Sequence, residues 1–132
     1  GGDTADTIPE VLEQMAPHPD VDAIVYLGIG IQASQGQMFR RGPFWPEHGL
    51  ERIGTFHEGQ DRRYAHAAAE ASRRHSKPIL IASDLVYTDR AYGNTGPLGV
   101  AETGRVTSPS GHRAIRTLAH MVRYGRYRKR IV

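Results

Sequence analysis

Four short stretches of this 132-residue chain carry residue types able to handle phosphate or protons. Gly28-Ile29-Gly30-Ile31-Gln32-Ala33 matches G-x-G-x-x-A, a spacing in which glycines let backbone N–H groups approach a pyrophosphate at a helix N-terminus. The same glycines equally suit a plain turn that needs positive φ. Gly93-Asn94-Thr95-Gly96-Pro97-Leu98-Gly99 can form an anion-binding nest with the Thr95 hydroxyl as an extra donor. It lacks the Lys-Ser/Thr ending of a P-loop, and a turn before a short helix is the simpler reading. Ser83 and Asp84 follow an apolar run, the place where a catalytic acid often sits, although a cap or turn role for Asp84 competes. Gly111-His112 opens the terminal helical stretch and offers one exposed imidazole.

The other reactive types do not assemble into a set. With no cysteine, disulfides, thiolate metal sites and a Cys nucleophile are all excluded. The pairs His48/His57 and His66/His75 are too widely spaced for adjacent ligands on one helical face, and His112 and His120 lie two turns apart, so no metal is expected. Ser34 and Ser110 have glycine neighbours but neither fits a nucleophile elbow.

The elements that must position these residues follow from the apolar pattern. Thr7-Ile8-Pro9-Glu10 reads as a capping box opening a helix to about Met15, with Val11, Leu12 and Met15 inward. Ala23–Leu27 and Ile79–Ala82 are nearly continuous apolar runs, the mark of parallel strands covered on both faces. A helix with a narrow face of Tyr64, Ala67, Ala68 and Ala71 is predicted from about Gly59 to His75. A shorter one is predicted near Pro97–Thr103, then a third strand at Val106-Thr107. Ser108 as N-cap and Pro109 as first helical residue would start a terminal helix whose inner face is Ile115, Leu118, Ala119 and Val122. Alternating strands and helices imply right-handed crossovers, hence a three-layer α/β domain with a parallel sheet and helices on both faces. Gly28 to Glu58, with six glycines, two prolines and Phe39, Phe44, Trp45 and Phe56, reads as one long connection leaving a strand end, either contacting ligand or covering a sheet edge.

Composition narrows the class. No run is long and apolar enough for a membrane span, the acidic start is unlike a signal peptide, and a cytoplasmic protein with no membrane partner is expected. Residues 1–39 contain no Lys or Arg, whereas Arg123, Arg126, Arg128, Lys129 and Arg130 crowd the end; removing those five from the net +3 leaves −2. A nucleic-acid binder would spread its basic stripe over the fold, so the tail reads as a solvated helix end and no nucleic-acid partner is expected.

Taken in order, Asp20-Val21-Asp22-Ala23-Ile24-Val25, Ser76-Lys77-Pro78-Ile79-Leu80, Ser108-Pro109 and Arg113-Ala114-Ile115-Arg116-Thr117-Leu118-Ala119 resemble the final flavodoxin-like domain of NDP-forming acyl-CoA synthetases, relatives of succinyl-CoA synthetase. In that family a "VDAV" strand, a "GKPV" strand and a "PERAVRALA" helix recur in this order, and a Tyr/Arg-rich tail often follows. The chain departs from that pattern in Ser110-Gly111-His112, in its longer Gly28–Glu58 excursion and in a compressed segment after the second strand. The resemblance implies one domain spanning residues 1–132 within a longer multidomain ligase. Its partners would be a CoA-binding Rossmann domain and an ATP-grasp domain, in a homo- or hetero-oligomer. It implies CoA, ATP/ADP and Mg for the whole enzyme, which makes an acyl-CoA through an acyl phosphate and a phosphohistidine. Gly111-His112 repeats only the first two residues of the family's phosphohistidine motif. The phosphate-facing residues it implies are at strand ends: Gly28, Gly30, Gln32, Ser83, Asp84, Asn94, Thr95 and Gly96. Outside that resemblance, a non-catalytic flavodoxin-like interaction module and a dinucleotide-binding domain remain open readings.

Overall fold

The two apolar runs become adjacent parallel strands because their β-branched residues leave no polar side to solvate. In the computed structural model, which describes residues 4–83 and 94–131, β1 (Ile24–Leu27), β2 (Ile79–Ala82) and β3 (Thr107–Ser108) form one sheet in the order β1-β2-β3. Ile24 pairs with Ile79, Tyr26 with Ile81, and Ile81 in turn with Thr107. Among the described residues the helices around them are α1 (Thr4–Met15), α2 (Ile31–Arg41), α3 (Leu50–His75), α4 (Thr95–Glu102) and α5 (Gly111–Ile131).

The register decides the layers. Ile24, Ile79 and Ile81 point to one side, where they meet Leu12 and Ala16 by α1, Tyr64, Ala65, Ala68 and Ala71 of α3, and Val100 of α4. Tyr26 joins them edge-to-face with Tyr64, the ring centroids 6.5 Å apart. Val25, Leu27, Leu80 and Ala82 alternate to the other side, where α5 crosses all three strands and Gly111 packs on Leu27. Among the described residues one face thus has four helices and the other has one.

Several expectations are corrected. The Gly28–Glu58 segment is not an extended connection: Ser34–Arg41 is helical within α2, and α3 begins nine residues before Gly59. What holds this hairpin is close packing rather than propensity. Gly36 of α2 lies against Gly54 of α3, the Trp45 ring covers Gly54, and Arg40 stacks 4.8 Å from the Trp45 centroid while pairing with Glu58 at 2.5 Å. Helix α1 begins at Thr4, so Thr7 is not its N-cap, and Val11 and Met15 are exposed while Leu12 and Ala16 are buried. Helix α4 starts at Thr95, capped by Asn94. Ser108 is consumed by β3, one residue later than expected, and Ser110 caps α5 instead: its Oγ accepts the Arg113 N–H at 3.1 Å. On α5, Ala114 is buried and Leu118 half-buried, whereas Ile115, Ala119 and Val122 stay exposed.

The helix crossing makes opposite predictions for two glycines. Alanine normally stabilises a helix by about 1 kcal/mol over glycine. At Gly59 a Cβ meets nothing within 4 Å, so Gly59→Ala should gain about 0.5–1 kcal/mol in urea unfolding. At Gly36 it would lie 2.8 Å from the Gly54 carbonyl oxygen, which cannot yield without parting the helices. Gly36→Ala should therefore lose about 1–3 kcal/mol in the same measurement.

Candidate functional site at the strand ends

All three strands deliver their carboxyl ends to one edge, and α2, α4 and α5 begin there. This is where an open parallel sheet places its ligand crevice. Glycine has a physical reason in the first turn: Gly28 and Gly30 adopt φ 90° and 98°, values that a side chain resists. That bend carries the chain straight from β1 into α2, with the Gly28 N–H still donating to Ala82 at 3.0 Å.

The structure brings Gly30, Asn94 and Gly96 into direct contact. Asn94 is 1% exposed and uses both ends of its amide. Its Nδ2 donates to the Gly30 carbonyl at 3.0 Å and to Ser34 Oγ at 3.2 Å, while Oδ1 accepts from the Gly96 N–H at 2.8 Å. A Cβ on Gly96 would sit 2.6 Å from the Gly30 nitrogen, so the two turns pack backbone to backbone. A further residue not foreseen as part of the site completes it. Asp61 of α3, also 1% exposed, accepts the Ala33 N–H through Oδ2 at 2.7 Å. A carboxylate from a neighbouring helix thereby caps α2. Its trace in the sequence was an acid at helical spacing from Tyr64, Ala65 and Ala68, on the inward side.

The remaining predicted residues spread along the rim. Gln32 is half-buried and its Oε1 lies 2.6 Å from His57 Nδ1. The His57 ring is flanked by Phe39 and Phe56, with centroids 5.9 and 5.8 Å away. Thr95 Oγ1 donates to the Glu58 carbonyl at 2.5 Å, tying α4 to α3. Ser83 is buried, and its N–H donates to the Ser108 carbonyl at 3.0 Å. His112 stands exposed in the first turn of α5, apart from the Asn94 junction. Asp84 lies outside the described residues. Among the described residues no group of three His, Cys, Asp or Glu side chains could hold a metal, and no helix is long and apolar enough to cross a membrane.

Burial first, then the Asp61 carboxylate, then Tyr64 push the Tyr26 hydroxyl far above the ordinary phenol range. At the outer surface Glu102 accepts from His66 and Arg62, each at 2.9 Å, which holds its carboxyl below the usual range. Comparison with family models, curated proteins and solved structures gives no significant match.

Two outcomes follow from this geometry. Asn94→Ala strands the Gly96 N–H and the Gly30 carbonyl in a buried place, and should lower stability by about 2–4 kcal/mol in a thermal or urea melt. Tyr26 has its folded pKa raised, so its contribution is complete below about 10, where the unfolded phenol begins to ionise, and is lost as pH rises beyond it. Melting temperature should fall above about pH 10 in the parent chain, and Tyr26→Phe should flatten that fall.

Proposed function

We propose that this chain is a flavodoxin-like α/β domain of an NDP-forming acyl-CoA ligase, and that its strand-end rim helps complete the enzyme's phosphate-handling site. The support is the ordered set of family-like segments together with the place where the chain puts them. "VDAI" leads into β1, "SKPI" into β2, and Ser108-Pro109 into α5, so that three helix starts share one edge. Of these, the amides of α2 and α4 are engaged by Asp61 and Asn94. The first turn of α5, with Ser110, Gly111, the exposed His112 imidazole and the Arg113 guanidinium, is then the rim's anion-facing end.

In this reading CoA, nucleotide and Mg are held by companion CoA-binding and ATP-grasp domains. This chain contributes helix dipole, N–H groups and the Arg113 charge to a phosphate presented by them. The Asp61 carboxylate speaks against a pyrophosphate at the start of α2, because a second anion there would be desolvated beside it. That same capping favours, as the second reading, a non-catalytic interaction module whose glycine turns serve packing alone.

The test is acyl-CoA formation by the full-length gene product across a carboxylate panel, with CoA and ATP or GTP. Turnover is expected, and Arg113→Ala should lower kcat at least about 10-fold with melting temperature unchanged. Absence of turnover, with no CoA or nucleotide binding by calorimetry, overturns the ligase reading and leaves the interaction module.

A further inference from the structure

β1 is the end strand of the sheet among the described residues. The Ile24 and Gly28 N–H groups donate to Pro78 and Ala82 on the β2 side, at 2.9 and 3.0 Å. By alternation, the N–H and C=O groups of Val25 and Leu27 point outward. Natural edges are usually blunted by Lys, Pro or a bulge, and Ile-Val-Tyr-Leu has none of these. Beside this edge lies the uncovered stripe of α5. Leu27 and Ile115 are each 59% exposed and Val122 is 45% exposed. A groove of about 520 Å³ opens between the start of β1 and α5, bordered by Met15, Val21, Met121 and Val122, with Asp20 and Asp22 at its mouth.

Charge selects what can cover this surface. The chain has no Lys or Arg before residue 40, and no Asp or Glu from Arg105 to Val132. Gly111 packs at the end of β1 and Met121 and Val122 border its beginning, so α5 runs antiparallel to β1. We propose that this face pairs with the same face of a second copy across a two-fold axis, β1 antiparallel to β1 and the Ile115/Val122 stripes against each other. Antiparallel pairing brings the partner's His112 and the partner's Arg116, at the positive end of its helix, toward Asp20 and Asp22 of this copy, and the reverse contact repeats it. Pairing in the parallel sense would instead place acid beside acid and cation beside cation.

Sedimentation velocity on the 132-residue chain from about 1 to about 100 μM tests this independently of any ligase activity. A monomer–dimer equilibrium is expected within that range. Val25→Pro removes an outward-facing N–H that bonds nothing within the β1–β2 ladder, and should weaken dimerisation at least about 10-fold; Val122→Glu, at an exposed position, should do the same even if the proline variant fails to fold. Asp22→Arg should weaken association, and adding Arg116→Asp should restore it. A chain that stays monomeric throughout overturns the proposal. So does a dimer indifferent to Val122→Glu, or a charge swap that restores nothing.

Discussion

The Asn94 amide is the interaction on which the rest of the architecture depends. A parallel sheet fixes the spacing of its strands but not the turns that leave them. Here the turn after β1 and the start of α4 touch backbone to backbone at Gly30 and Gly96, and Asn94 bonds to both sides of the contact. Asp61 holds the opposite side of α2. Because each of these bonds is buried, losing one partner would leave another polar group without water. The arrangement therefore ties α2, α3 and α4 to one another through buried polar contacts.

That tie has a consequence for chemistry at the strand ends. Glycines at a strand-to-helix turn can serve a ligand or can serve close packing. In this chain the packing use is explicit: the space above Gly96 is filled by Gly30, and a carboxylate occupies the start of α2. Below it Tyr26 meets Tyr64 edge-to-face, and Tyr64 and Asp61 are buried. Polar capacity that faces outward is left to the rim, with the first turn of α5 and the Gln32–His57 pair between α2 and α3.

The two faces of the sheet are unequal for a reason visible in side-chain size. Ala65, Ala68 and Ala71 let α3 approach closely, so isoleucines from two strands and Val100 fill one layer. On the opposite face, among the described side chains of α5, Ala114 alone is fully seated, and Ile115 and Val122 flank the contact instead of filling it. An apolar arc wider than the surface beneath it leaves Ile115 and Val122 for a further contact.

By itself the amino-acid order determined the strands, the α/β class and the parallel arrangement, because continuous β-branched runs separated by helical spacing admit few other solutions. It also marked Gly28, Gly30, Asn94 and Gly96 as special, since glycine and asparagine at strand ends have local conformational causes. Only the tertiary structure decided what those residues do. Neither the pairing of Gly30 with Gly96 nor the capping of α2 by Asp61 has a local signature, as each joins positions 28 or more residues apart. The helices hidden in Gly28–Glu58 escaped for the same reason. Their glycines lower helix propensity, and close contact between Gly36 and Gly54 supplies the compensation only once both helices exist. Propensity is read one residue at a time, whereas packing is a property of pairs.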